Sequence, residues 1–313
     1  MTLNRRAFLG TTAAFAASSL DYAQQSPQSL WGGPVIDIHL HLRRDADGNF
    51  AHIEGCGVRQ AVLLAMADRN ALVEEVLAKY PGRFVWSAST DITKPGAEQI
   101  LTKAVKSGAI GIGEIKAHVA ADGPELQRMY AFAADLNVPI LVHFQEVPHY
   151  DGEGTLATGF AHMEAMLKAY PKTRFVGHAD AFWANIDASY ANQVAYPTGP
   201  IKQRGITDKL LSDYPNLFGD LSANSGNNAL SRDAEFTAGF LERHQNKLIF
   251  GSDCGCTDGK GGGIGQPGNP AAARLAGKCV ARETLTLLRS AASGPIFRKL
   301  TWENAHQLYG LPA

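Results

Sequence analysis

Short apolar runs alternate with segments of helical periodicity along most of the chain. The apolar runs are rich in β-branched residues, which is typical of buried parallel strands. They cover residues 34–40, 60–65, 83–88, 108–115, 138–144, 173–178, 216–221 and 247–253. Between them, apolar residues recur at helical spacing in segments 69–79, 96–106, 124–136, 157–169, 204–213 and 232–243. Several of these helices are expected to end before a proline, as at Tyr80-Pro81.

This alternation of strand and helix predicts the fold class. Eight strands followed by helices favour a (β/α)8 TIM-like barrel in a single domain over residues 24–313, with a doubly wound open sheet as the second choice. No Gly-x-Gly-x-x-Gly turn follows the first run, which counts against a dinucleotide-binding sheet. The longest irregular piece, residues 254–278, is rich in glycine. A loop of that length is expected to be functional or mobile.

Residues 1–23 have the pattern of an export signal. The pair Arg5-Arg6 stands directly before a short apolar segment of small residues that extends to residue 20, and this resembles the bacterial twin-arginine signal. We therefore expect export by the twin-arginine machinery to the periplasm, with Ala23 as a candidate cleavage point. The alternative is an amphipathic N-terminal helix. No apolar run reaches ~18 residues, so no stable membrane insertion is expected.

Composition and charge limit the classes of partner that the protein is expected to bind. The 313 residues are 45% hydrophobic and 19% charged, as in an ordinary globular protein. The formal net charge is -1, from 29 basic and 30 acidic residues. No net positive field is available to hold a polyanion, so a nucleic-acid partner is not expected and a small-molecule substrate is favoured. Nothing in the sequence indicates the oligomeric state.

Four cysteines leave two alternatives open. Cys254 and Cys256 are separated by one glycine, too close for an easy mutual disulfide. A bridge between Cys256 and Cys279 would close the Gly-rich loop, and an exported chain would permit it. The other interpretation is that these residues, with Cys56, are free and mostly buried thiols.

Histidines and an acid gather at the ends of the predicted strands. His39 and His41 close the first strand and share one face. His143, His178 and Asp253 close strands five, six and eight, at the end of a barrel where active sites are built. Imidazoles together with a carboxylate suit Zn²⁺, with Fe²⁺, Mn²⁺ or Co²⁺ as rivals. The sequence therefore predicts a divalent metal at this mouth.

Glu114 and Lys116 close the fourth predicted strand on one face. Neither could stay charged alone in the barrel mouth. In one interpretation, Glu114 and Lys116 form an ion pair with each other. In the other, Glu114 or a carboxylated Lys116 bridges two metal ions. Five further histidines in loops or helices are expected to bind nothing: His52, His149, His162, His244 and His306.

Two loops are candidates for substrate recognition. After strand six, Asp180, Phe182 and Trp183 would form an aromatic wall for a flat substrate. After strand seven, the run 222–228 offers neutral hydrogen-bond donors. The alternative for its two later asparagines is turn and cap chemistry.

Taken together, these motifs resemble those of the amidohydrolase superfamily. The motifs are Asp37-Ile-His39-Leu-His41, Val142-His143, Gly177-His178 and Gly251-Ser-Asp253, and the tail 302–310 is similar to that of the amidohydrolase-2 branch. The similarity spans about residues 34–312. It implies a distorted (β/α)8 barrel that carries one or two divalent metals.

The resemblance also implies roles for individual residues. His39, His41 and Asp253 correspond to metal ligands, His143 to a further ligand, and His178 to a second-metal ligand or to a catalytic histidine that polarises the substrate. The pair Gly113-Glu114 is similar to that of TatD-type deoxyribonucleases, in which the acid binds metal.

The expected chemistry is hydrolysis of an amide, ester or lactone bond in a small molecule. A metal ion would lower the pKa of its water to about 7, Asp253 would accept the water proton and pass it to the leaving group, and His178 would stabilise the oxyanion. Two alternatives share the ligands. They are a decarboxylase or hydratase of an aromatic or unsaturated carboxylic acid, and a TatD-type nuclease.

Overall fold

The computed structural model describes residues 30–149, 152–153, 156–263 and 274–311. Eight parallel strands form one sheet in the order β1 to β8. They are β1 Ile36–His41, β2 Gln60–Met66, β3 Phe84–Ser89, β4 Ile112–Ile115, β5 Ile140–His143, β6 Phe175–His178, β7 Leu217–Asp220 and β8 Leu248–Ile249. The predicted export signal, residues 1–23, lies outside the described residues and stays a prediction.

The sheet curls until its first and last strands meet. The backbone N–H of Ile38 donates to the carbonyl of Phe250 (3.1 Å), and the N–H of Asp253 donates to the carbonyl of His39 (2.8 Å). These bonds join β1 to the segment that follows β8. The fold is thus a nearly closed (β/α)8 barrel in one domain, and the predicted fold class is confirmed.

Helices follow the strands and cover the outside of the barrel. The twelve α-helices of the described residues are α1 Ala46–Cys56, α2 Asn70–Lys79, α3 Ala97–Lys106, α4 Pro124–Asp135, α5 Met163–Ala169, α6 Ala179–Ala184, α7 Ile206–Asp213, α8 Ala223–Ser231, α9 Ala234–Arg243, α10 Val280–Ala291, α11 Gly294–Arg298 and α12 Asn304–Tyr309. Short 3₁₀ turns precede α2 and α5, and a π-helical segment, Lys299–Glu303, leads into α12. No helix in these ranges is long and apolar enough to cross a bilayer.

All six predicted helices are present, but the sequence patterns missed several others. α1, α6, α8 and the helices after α9 were not predicted. α6 is too short to show a period, and its six residues are all buried, so they present no polar face. The turn interpretation of Asn227 and Asn228 is wrong, because both lie within α8. β4 and β8 are also shorter than the runs that predicted them.

Apolar side chains fill the barrel below its functional mouth. One buried apolar cluster joins residues of α12 to side chains of four strands, namely Ile36, Ile38, Val62, Leu141 and Val176. The C-terminal tail packs at the end of the barrel opposite the carboxyl ends of the strands. There the side-chain amide of Asn304, at the start of α12, donates to the carbonyl of Leu248, the first residue of β8 (2.8 Å). The mouth therefore stands on a packed apolar floor, which keeps water from reaching it from below.

Gly177 in β6 tests how tightly the barrel wall is packed. A Cβ at this position would lie 2.1 Å from an edge carbon of the Phe182 ring, and that ring is fully buried. We expect Gly177→Ala to lower the free energy of unfolding by about 1–3 kcal/mol through overpacking, measured by urea denaturation. Gly294→Ala is the control, because a Cβ there meets nothing within 4 Å. Equal stabilities of the two variants would contradict this packing.

Candidate metal centre

Five of the six predicted metal-binding residues lie at the carboxyl ends of strands. His39 and His41 are in the last three residues of β1, Glu114 is in β4, and His143 and His178 end β5 and β6. The sixth, Asp253, was placed at the end of a long β8, but it follows that strand by four residues. Its backbone bond to His39 nevertheless brings it to the same mouth.

The carboxylate of Glu114 is at the centre of this group. Its Oε2 atom lies 3.4 Å from Nε2 of His41 and 3.9 Å from Nε2 of His39. Its Oε1 atom faces the other way, 3.4 Å from Nε2 of His178 and in a short hydrogen bond with Nδ1 of His143. One buried carboxylate therefore separates two pairs of imidazoles.

Asp220 and Ser222 orient the two most deeply buried imidazoles. Nδ1 of His39 donates to Oδ2 of Asp220 at 2.6 Å, and Nδ1 of His178 is hydrogen-bonded to the Ser222 hydroxyl at 2.8 Å. Nε2 of His39 has no hydrogen-bond partner although it is buried. A histidine held through one ring nitrogen, with the other aimed at a site, is the usual geometry of a metal ligand.

Asp253 is held by its backbone and presents its side chain to the mouth. Its φ of +45° is rare for a non-glycine residue. Its Oδ1 atom lies 3.4 Å from Nε2 of His41 and 3.8 Å from Nε2 of His39. The chain reaches this position past Gly251, where a Cβ would stand 2.4 Å from Oδ1 of Asp220. Only glycine allows this close approach.

The pKa values of the mouth residues show that positive charge is favoured at His39 and disfavoured at His178. Burial acts to raise the pKa of Glu114, but His143 and the other imidazoles outweigh it and hold that pKa well below its usual range. Burial acts to lower the pKa of His39, but Asp220 and Asp253 outweigh it and raise the pKa to about 10. Burial, and then His39, lower the pKa of His178 well below its usual value.

These residues fit a divalent metal ion. One ligand atom from each of His39, His41 and Asp253 lies within 4.8 Å of the others, and the same holds for His39, Glu114 and His178. Imidazole and carboxylate donors at such spacing suit Zn²⁺ and its first-row neighbours. His143 reaches the group only through Glu114, and its Nε2 is bound to the Gln145 side chain (3.0 Å).

Lys116 and Trp183, also predicted as candidates, lie outside this group. Lys116 is half-exposed and its Nζ is 4.0 Å from Oε1 of Glu153, so its ion pair is not with Glu114. Trp183 is fully buried and donates its indole N–H to the carbonyl of Asp220 (2.8 Å). The prediction that Phe182 and Trp183 form an aromatic wall is wrong, because both pack in the core behind β6 and β7.

A cavity of about 460 Å³ opens over the group. Its lining includes His149, which stacks on Tyr196 (5.7 Å between centroids) and bonds through Nε2 to Oδ1 of Asp180 (2.9 Å). Asn224 and Ser225 line another side, and each has a buried oxygen without a hydrogen-bond partner.

Sequence reasoning missed three residues of this site. Asp220 closes β7 at the same edge as the histidines, so the rule that found Asp253 could also have found it. His149 was set aside as a loop histidine, although it lines the cavity. Tyr196 carries no sequence signal, since it follows an irregular stretch after α6.

Comparison with known proteins agrees with this geometry. The family model described as Amidohydrolase, of the amidohydrolase-2 group, matches residues 57–311. The chain belongs to the amidohydrolase family. The matched segment includes Glu114, His143, His178 and Asp253, whereas His39 and His41 precede it. A search of curated proteins found no match.

Solved structures share the fold of this amidohydrolase at low identity. They include 2,6-dihydroxybenzoate decarboxylase in complex with 2,6-dihydroxybenzoate (TM-score 0.54, 14% identity, 89% of this chain and 99% of that one). The TatD homologue YJJV of Escherichia coli K12 is also similar (0.53, 16%, 89% and 98%), as is dihydroorotase of Campylobacter jejuni (0.52, 17%, 89% and 84%). At these identities, the similarity shows the fold alone.

Asp220 offers a test of the metal centre that leaves the candidate ligands in place. We expect Asp220→Asn to weaken Zn²⁺ binding about 10–100-fold, because the bond that orients His39 loses its charge. Competition with a chromogenic chelator measures the change. Asp213→Asn is the control, since Asp213 is half-exposed and pairs with Lys209 on the surface. Unchanged affinity in Asp220→Asn would show that this bond does not support a metal ligand.

Proposed function

We propose that this amidohydrolase is a metal-dependent hydrolase that cleaves an amide, ester or lactone bond of a small molecule. The observation that carries the proposal is that Oε2 of Glu114 and Oδ1 of Asp253 each lie close to Nε2 of both His39 and His41. Glu114 and Asp253 lie 3.4–3.9 Å from the two imidazoles. Histidine and carboxylate donors with an open side are typical of catalytic rather than structural metal sites.

We assign these four residues as ligands of one divalent ion, with Zn²⁺ preferred for its donor set. The opposite oxygen of Glu114, with His178 and the nearby His143, would offer donors for a second ion. A bound divalent ion would supply Lewis acidity and would lower the pKa of a coordinated water molecule.

The chain's own residues divide the remaining work. The Asp253 carboxylate is one-third exposed and faces the cavity, so it can take a proton from a water molecule and deliver it to the leaving group. His178 also lines the cavity and is fixed by Ser222, so its imidazole can polarise the scissile carbonyl. The apolar floor below excludes bulk water from the reacting atoms.

The cavity favours a small substrate over a nucleic acid. Its volume of about 460 Å³ suits a metabolite-sized ligand. Among the described residues that line it, Lys116 is the only lysine or arginine, whereas Asp180 and Asp253 are acidic. A phosphodiester chain needs several cationic contacts, so this lining speaks against a TatD-type nuclease.

The proposal is tested with a panel of esters, lactones, amides and aromatic carboxylates assayed with the zinc-loaded protein. We expect turnover of at least one ester, lactone or amide. His41→Ala should lose zinc and reduce kcat/KM at least about 100-fold, because a ligand is removed. Its side chain is half-exposed, so folding should persist. His162→Ala is the matched control, since His162 is a comparably exposed histidine far along the chain that pairs with Asp122.

Two outcomes would contradict the hydrolase assignment. Turnover confined to aromatic carboxylates, with release of carbon dioxide, would replace it by a decarboxylase. Full activity in His41→Ala without bound metal would remove the metal from the mechanism altogether.

Asn224 and Ser225 test whether the cavity binds the substrate. Both residues line the cavity, and each has a buried oxygen without a hydrogen-bond partner. For any substrate found in the panel, we expect Ser225→Ala or Asn224→Ala to raise KM by up to about tenfold, the value of one lost hydrogen bond, with zinc content unchanged. Ser231→Ala, further along the same helix and exposed, should leave KM unchanged. Wild-type KM in both cavity variants would place the substrate elsewhere.

A further inference from the structure

A second group of metal-ligand side chains lies behind the catalytic mouth. Cys254 and Cys256 follow β8, Cys279 immediately precedes α10, and His52 is in α1. One ligand atom from each lies within 4.8 Å of all the others. The four side chains come from three separate segments of the chain, and each residue is at least nine-tenths buried.

The spacing of these atoms matches a single tetrahedral ion. The Sγ atom of Cys254 is 3.3 Å from that of Cys256 and 3.9 Å from that of Cys279, and Sγ of Cys256 is 3.4 Å from Nδ1 of His52. A tetrahedral Zn²⁺ with Zn–S bonds of about 2.3 Å places its sulfur ligands roughly 3.8 Å apart. The two sulfur separations fall on either side of that value.

Of the two interpretations of the cysteines from the sequence, that of free buried thiols is confirmed, because all four cysteines are free and buried. The alternative, a bridge between Cys256 and Cys279, is not formed. Free buried thiols ordinarily behave as small apolar groups and pack among apolar neighbours. Here three thiols and an imidazole face one another instead, and His52, which was expected to bind nothing, completes the group.

The surroundings can balance the charge of such a site. Three thiolates, one neutral imidazole and one divalent ion carry a net charge of -1. The guanidinium of Arg43 lies close to the group and donates to the backbone carbonyls of Cys254 (3.2 Å) and Cys256 (2.6 Å). A fixed cation beside the ligand backbone stabilises a thiolate site of that charge.

We propose that His52, Cys254, Cys256 and Cys279 bind one structural Zn²⁺ ion, distinct from the catalytic metal. Three cysteines and one histidine form a closed tetrahedral set with no open position for substrate. Binding releases the three thiol protons to solvent and involves no oxidation or reduction. Because Cys254 directly follows Asp253, the ion fixes the backbone that presents Asp253 to the catalytic mouth.

The loop that carries these cysteines is already packed against α1. A Cβ on Gly55 would stand 1.7 Å from the carbonyl oxygen of Asp258, and a Cβ on Gly259 would stand 2.2 Å from the carbonyl oxygen of His52. Backbone in such close contact leaves the ligands little freedom to separate. The zinc ion would thus join α1, the loop after β8 and the start of α10 at one point.

Cobalt substitution tests this site independently of catalysis. The His41→Ala chain is used alongside the wild type, because it disables the proposed catalytic site. We expect Co²⁺ added to either protein to produce the near-ultraviolet sulfur-to-cobalt charge-transfer absorption, at one ion per chain. Imidazole and carboxylate ligands cannot give that band, so the catalytic metal does not contribute to it.

Cysteine variants then identify the ligands. Cys256→Ser should lose the band, whereas Cys56→Ser should keep it, because Cys56 is equally buried and lies outside the four-residue group. If Cys256→Ser does not fold, the wild-type titration still decides the question. Absence of the band in folded wild-type protein would overturn the proposal, and so would a disulfide between any two of the three cysteines in protein isolated without reductant. Neither result would affect the catalytic proposal, which depends on His41 and the substrate panel.

Discussion

One buried carboxylate determines the organisation of this barrel mouth. Glu114 lies in a position where burial alone would penalise its charge, and four imidazoles surround it, two at each oxygen. Such a group is stable only if opposite charges meet it from several strands at once. The strands must therefore keep their register and the floor beneath must stay closed. Asp220 extends the network by fixing the imidazole of His39 from behind.

Sequence patterns were sufficient for the barrel and for most of its candidate ligands, for a clear physical reason. Buried parallel strands are continuous apolar runs, so a histidine such as His143 or His178 at the end of a run stands out. The patterns failed where no period exists. α6 is buried on every side, so Trp183 looked like a loop residue near the substrate. Asp253 reaches the mouth although β8 is short, because its backbone N–H donates to the carbonyl of His39 and continues the pairing with β1.

The group of cysteines and His52 shows what residue spacing along the sequence cannot reveal. Spacing along the chain could suggest a pair among Cys254, Cys256 and Cys279, but the fourth member, His52, comes from α1, about two hundred residues earlier. Only folding brings it to the others, because β1 and β8 are neighbours in a barrel that closes on itself. The proposed catalytic and structural ions would then be held by adjacent residues, with Asp253 on one side of a peptide bond and Cys254 on the other.

The seam where the barrel closes, between β1 and the segment after β8, also affects how the protein loses its active geometry on heating. β8 contains only two residues, and few backbone bonds join its extension to β1, so this seam has a short hydrogen-bond ladder. Local opening is favoured where such bonds are few. Gradual warming should therefore separate Asp253 from His39 and His41 while the rest of the barrel is still intact. Loss of the active geometry would precede cooperative melting, and a thiolate-bound ion across the seam would delay it.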